Sequence, residues 1–194
     1  MSVLLLLLGL VLFLAAHSVR IVADGWRSRT IVRLGEGPWK GIYSLVSLAG
    51  FMLVVWGYGL ARQQPVPLWD PPAWTRQLTA LLMLASFVLL AAAYVPRNGL
   101  KARLHHPMVL SVKVWALAHL LANGMLADIA LFGAFLAWSV FDYRAARLRD
   151  EAAGTSGAAG SAGATVAAVM VGVFAWALFA FWAHGWLFGV PAYP

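Results

Sequence analysis

Two histidines lie within long apolar runs of this chain, and its chemistry starts there. His17 shares a helix face with Leu10, Phe13 and Leu14 near the end of one run. His119 sits within His106-Pro107-Met108-Val109-Leu110-Ser111-Val112-Lys113-Val114-Trp115-Ala116-Leu117-Ala118-His119-Leu120-Leu121-Ala122-Asn123-Gly124. An ionisable side chain in such a segment is costly unless something pairs with it, which makes it a candidate functional group. Imidazole is also the commonest metal ligand. The chain has no cysteine, which excludes disulfides, thiolate ligation and the Cys-x-x-Cys-His attachment of c-type haem.

The reading for His119 is ligation of a metal centre, the iron of a haem. Val112, Trp115, Ala116, Ala122 and Asn123 share its helix face. Small residues beside a ligand let a flat macrocycle approach the backbone. Two axial ligands must reach iron from opposite sides of the ring. Neighbours one turn apart on a single helix cannot do that, so the second ligand comes from another helix, and His17 is the best candidate. Depth tests the pairing. At 1.5 Å of rise per residue, His17 lies about 4.5 Å along its axis from Arg20, and His119 about 9 Å from Lys113. If Arg20 and Lys113 mark one interface, the histidines differ by at most about one turn. If the helix instead enters lipid at His106, His119 lies near mid-membrane and pairing needs tilt. The plainer alternatives are a neutral His119 hydrogen-bonded to a neighbouring helix and an interfacial His17 snorkelling to water.

Lys113, Arg20 and Arg103 suit haem propionates, because cations pair with carboxylates at the membrane edge; simple snorkelling is the competing reading. His105 and His106 are adjacent and point in different directions from a helix. His106 reads as a cap, a propionate contact or a group supporting a ligand from behind. His184, in Ala183-His184-Gly185-Trp186, reads as interfacial. His-Glu-x-x-His, a nucleophile elbow and a phosphate-cradling glycine loop do not occur. Asp128 and Glu36 have no evident partner carboxylate, and the chain's seven acids fall mostly in loops, which argues against a proton-pump relay.

The elements that must position these residues are membrane helices. Of 194 residues, 62% are hydrophobic and 11% charged, against roughly a quarter charged in soluble domains. The expected fold is an all-α integral membrane bundle of about six transmembrane helices: Val3–Val22, Gly41–Leu60, Leu78–Val95, His106 to about Asn123, Leu126–Tyr143 and Thr165–Val190. No charged region precedes the first run and no clean cleavage site follows it, so it reads as a retained span. Residues 20–40 read as a loop with a turn at Gly35-Glu36-Gly37-Pro38-Trp39. The proline-rich stretch Arg62–Arg76 is placed in the headgroup region. Pro107 suits a first helical turn, and Asn123-Gly124 is expected to stop the helix through left-handed backbone. The expected domains are 1–150, a haem-binding five-helix part; 151–164, a flexible Gly/Ala linker; and 165–194, a last helix.

A net charge of +7 would point to nucleic acid in a soluble protein; here topology explains it. Loops one, three and five carry five, three and three Lys/Arg (Arg20 counted in the first), loop two carries two, and loop four and both tails carry none. The positive-inside rule then places the odd loops in the cytoplasm and both termini in the periplasm of a bacterial inner membrane.

Four stretches carry a family resemblance: Ala16-His17-Ser18-Val19-Arg20, Gly35-Glu36-Gly37-Pro38-Trp39-Lys40-Gly41-Ile42-Tyr43-Ser44-Leu45-Val46-Ser47, Ala91-Ala92-Ala93-Tyr94-Val95-Pro96, and His106 to Gly124. Over about residues 3–150 the chain resembles NnrU-family membrane proteins, a family linked to denitrification and nitric-oxide metabolism. That family is similar, more distantly, to the 15-cis-zeta-carotene isomerases of plants and cyanobacteria, which are integral membrane haem b proteins. The resemblance implies that His17 and His119 stand at the two haem-ligating positions and His106 at a His-Pro position. The isomerases carry a cysteine three residues before the second histidine, where this chain has Ala116. A thiolate ligand swap is therefore ruled out at that site.

The expected function is that of an NnrU-type protein with non-covalent, bis-histidine haem b, supporting nitrogen-oxide reduction in maturation or as a redox- or nitric-oxide-responsive partner. Its expected partners are the lipid bilayer, nitrogen-oxide reductase machinery or an electron donor, and not nucleic acid. Two alternatives stay open. One is a haem-dependent cis/trans isomerase acting on a small apolar polyene such as 15-cis-zeta-carotene; the other is an assembly scaffold without haem.

Overall fold

The computed structural model describes residues 2–155 and 159–192. Residues 1, 156–158 and 193–194, one end or the middle of each expected domain, lie outside the described residues. The chain is all-α: α1 Ser2–Val22, α2 Asp24–Leu34, α3 Glu36–Ala61, α4 Thr75–Tyr94, α5 Gly99–Leu104, α6 Pro107–Ala122, α7 Leu126–Ala152, α8 Ala162–Leu178 and α9 His184–Phe188, with a π-helical turn at Phe179–Ala183 between the last two. No strand occurs among the described residues.

Among the described residues five segments are long and apolar enough to cross a membrane: α1, α3, α4, α7 and the continuous stretch Ala162–Phe188. Their outer faces carry exposed Leu4, Val11, Leu45, Trp56, Leu81, Phe174 and Phe181, as lipid-facing helices must. The expected fourth span is α6, which has only 16 residues. It rises about 24 Å, short of a hydrocarbon core of about 30 Å.

Three local expectations need correction. Residues 20–40 are not a loop: α2 fills Asp24–Leu34, with Asp24 in the first turn and Arg33 in the last, the polarity a helix dipole favours. Arg27 also pairs back to Asp24 at 3.4 Å. The break between α2 and α3 is the single residue Gly35, whose φ of 86° a side chain would resist. Glu36 to Trp39, expected as a turn, already form the start of α3, where Lys40 closes on Glu36 at 2.8 Å. Finally, α6 does stop at Ala122, but not by left-handed backbone, since neither Asn123 nor Gly124 has positive φ.

The described residues form two compact units, residues 1–71 with 119–142, and residues 72–118 with 143–194. The boundary falls inside α6, between Ala118 and His119, and inside α7, between Asp142 and Tyr143.

In the first unit α1 and α3 run antiparallel in close backbone contact. A Cβ on Gly57 would meet Leu6 N, one on Gly9 would meet Val54 N at 2.5 Å, and one on Gly50 would meet Phe13 N at 2.7 Å. Membrane helices have little hydrophobic drive to associate, and small residues substitute by allowing this approach. The linker after α3 is pinned to the α6–α7 turn: Leu68 N donates to Gly124 O at 2.9 Å and Leu126 N donates to Val66 O at 2.8 Å. A side chain at Gly124 would strike Trp69 O, so glycine stands there for room and not for φ.

In the second unit Gly172 of α8 lets Val88 of α4 approach, a Cβ there falling 2.5 Å from Val88 Cα. Ser86 and Thr79 of α4 donate to the backbone oxygens of Ser111 and Ala118 on α6 at 2.9 and 3.0 Å. Asn98 caps both sides of the α4–α5 junction, donating to Ala92 O and accepting from Lys101 N.

Candidate functional site

His17 and His119 both belong to the first unit. His17 sits one turn after Phe13 on α1, and its Nδ1 lies 2.7 Å from Phe13 O. A carbonyl oxygen can only accept, so Nδ1 carries the proton and donates. In the neutral imidazole Nε2 then keeps its lone pair, the arrangement found in metal-ligating histidines. The ring is boxed by aromatics: Phe13 stacks on it at 4.1 Å, Tyr43 of α3 lies at 5.4 Å and Trp138 of α7 meets it edge-on at 6.1 Å. In this unit Trp138 Nε1 is buried and makes no hydrogen bond, and the buried Ser47 Oγ neighbours the Tyr43 hydroxyl.

His119 stacks on Phe132 of α7 at 4.5 Å, and its backbone oxygen accepts from Asn123 Nδ2 at 2.9 Å. Phe13 also reaches Phe135, at 5.8 Å. Phe132, Phe135 and Trp138 follow each other at three-residue spacing on α7, so one helix face meets both histidines. His119 touches it at Phe132 and His17 at Trp138, levels about 9 Å apart along the axis. Two imidazoles on one metal ion need their nitrogens about 4 Å apart, given bonds of about 2 Å. Joint ligation therefore asks the two side chains to reach toward each other across that offset.

The other candidates are dispersed. Arg20 is exposed, one turn after His17. Lys113, Trp115, Ala116 and His106 belong to the second unit: Ala116 is fully buried, and Lys113, Trp115 and His106 are half-buried. His106 has a partner that the sequence did not suggest. Its Nε2 lies 2.9 Å from Asp150 Oδ2, and His105 Nδ1 lies 3.2 Å from the same oxygen. His184 Nδ1 donates to Val190 O at 2.8 Å, binding the end of the last helix to the residues after it.

Sequence reasoning missed two participants at His17, Trp138 and Tyr43. Trp138 and the two phenylalanines before it carry a readable signal, a row of aromatics at helical spacing. Tyr43 and Ser47 lie one turn apart on α3 and carry none. Asp128, expected to have no partner carboxylate, is 6% exposed and accepts a hydrogen bond from the Tyr58 hydroxyl at 2.5 Å. Among the described residues no three His, Asp or Glu side chains gather as a metal-binding group.

No curated protein and no solved structure matches the chain. The family model of the NnrU protein matches residues 5–192, so the match extends through the glycine-rich linker and the last apolar helix. The chain therefore belongs to the NnrU family, and at the level of that family it fits a membrane protein related to denitrification.

Proposed function

We propose that this protein holds one non-covalent haem b in its first unit, with His17 of α1 and His119 of α6 as ligands, and that it serves nitrogen-oxide reduction from the bacterial inner membrane. The observation that carries the reading is the hydrogen bond from His17 Nδ1 to Phe13 O. That bond commits Nδ1 and, in the neutral imidazole, leaves Nε2 as a donor atom inside an aromatic box. The surroundings suit the group: rings of Phe13, Phe135 and Phe132 offer an apolar wall, and the unpartnered buried Trp138 Nε1–H lies beside them. Bound haem would supply an iron centre able to exchange electrons or to take a small ligand such as nitric oxide when one imidazole leaves. The chain's own part is to hold His17 in one orientation, to exclude water with its aromatic rings and to offer the exposed Arg20 cation at the edge.

The reading favours a role in maturation or in redox or nitric-oxide response, with reductase machinery or an electron donor as partner. Lys/Arg bias supports cytoplasmic odd loops and periplasmic termini.

The test is the oxidised and reduced absorption spectrum of the purified protein, expressed with adequate haem, beside His17→Ala and His119→Ala. A low-spin haem b spectrum in the parent, altered in both variants, is expected. A stable parent without a Soret band would sink the proposal and turn attention to a scaffold role. A haem-loaded protein that converts 15-cis-zeta-carotene would move the assignment to the isomerase reading.

A further inference from the structure

His17 lies where three helices of the first unit change from apolar to polar together. On α1, Phe13 precedes it by a turn and exposed Arg20 follows. On α7, Phe132 and Phe135 give way to Trp138 and then Asp142. On α3, which runs the opposite way, Phe51 gives way to Ser47 and Tyr43 and then Lys40. The α1–α3 register pairs Leu6 with Gly57, Gly9 with Val54 and Phe13 with Gly50, so His17 falls level with Val46 and Ser47. At this level Trp138 Nε1 is buried and makes no hydrogen bond, and the buried Ser47 Oγ has the Tyr43 hydroxyl as its neighbour. A buried polar group left unmade is costly and demands a reason. Indole N–H can only donate, and a serine hydroxyl can donate.

We infer that Trp138 Nε1–H and Ser47 Oγ–H receive the acceptor end, a carboxylate or N-oxide oxygen, of a ligand whose flat or apolar part lies toward Phe13 and Phe135. This rests on the reading that His17 faces a bound ligand. The donors complete a polarity gradient in which the ligand's charged end lies toward exposed Arg20 and its apolar end toward the phenylalanines. A hydrocarbon polyene offers no oxygen for these hydrogens, so the arrangement favours a ligand with an anionic group.

The experiment uses the full chain in detergent micelles with nitrogen-15-labelled tryptophan. The Trp138 indole resonance is the one that Trp138→Phe removes. Three probes are added separately: gallium protoporphyrin IX, its dimethyl ester, and nitrite. The Trp138 resonance should move downfield. Movement with the free-acid porphyrin that weakens with the ester identifies a porphyrin carboxylate as the acceptor. Movement with nitrite identifies a free oxyanion. Either supports the inference, and Trp138→Phe should weaken the active probe about tenfold, the scale of a hydrogen bond to a charged group, without lowering the melting temperature of the ligand-free chain. If Phe at this position prevents folding, Ser47→Ala identifies the resonance by perturbing it and carries the affinity measurement. A resonance unmoved by all three probes overturns the inference, even where porphyrin binds through the histidines. Movement with nitrite in a chain that binds no haem would keep it and sink the haem proposal.

Discussion

Trp138 meets His17 edge-on, with ring centroids 6.1 Å apart and planes at 88°. With Phe13 stacked on one face of the same imidazole, the ring is held between α1 and α7 in one orientation.

His17→Ala should change or abolish the haem spectrum, and added imidazole should restore a low-spin form, because the aromatic box outlives the removed side chain. His119→Ala should leave a high-spin or five-coordinate spectrum with His17 still bound. Absorption spectra of the two variants, with and without imidazole, check this; a parent spectrum retained in both variants would remove the histidines as ligands.

Gly57→Ala should destabilise the first unit by about 1–3 kcal/mol, the usual scale of overpacking, because its Cβ would meet Leu6 backbone. Gly59→Ala, two residues on, meets nothing within 4 Å and should be neutral or slightly stabilising. Thermal unfolding in one detergent compares them, and equal effects would contradict the close α1–α3 register.

Gly124→Ala should release the proline-rich linker, because a side chain there collides with Trp69 O. Amide hydrogen exchange at Leu68 and Leu126, whose N–H groups bond to Gly124 O and Val66 O, should accelerate together. Unchanged protection at both would show that the linker tolerates the side chain.

Tyr58→Phe should cost about 1–3 kcal/mol, because it leaves the buried Asp128 carboxyl without its hydroxyl donor. Adding Asp128→Leu to that variant should recover part of the loss. A double-mutant unfolding cycle in detergent reads the coupling; a purely additive result would dissolve the pair.

The chain has no native cysteine, so single introduced cysteines report its orientation without a background. Ser2→Cys should label with an impermeant thiol reagent from the periplasmic side of intact cells, and Ser28→Cys only after the membrane is opened. The reverse pattern would overturn the charge-based topology.

The amino-acid sequence by itself determined the membrane class, the positions of most spans, the proline start of α6 and its end at Ala122. These are local matters: a bilayer sets the length of an apolar run, and backbone groups in lipid must be satisfied within the helix. α2 escaped because its polar residues show no apolar face, and helix signals in its first and last turns were masked by the loop-like charge content. The role of Gly124 escaped because a collision with Trp69 is a fact about two distant segments. His17 and His119 were legible as imidazoles within apolar runs, but the Phe13–Tyr43–Trp138 box, the Tyr58–Asp128 pair and the His105–His106–Asp150 cluster were decided only by tertiary structure. The physical reason is the solvent. In water, alternation of polar and apolar residues marks which face is buried. In lipid both faces are apolar, so inside is marked only by small residues such as Gly9, Gly50 and Gly57 and by the partners that folding brings to them.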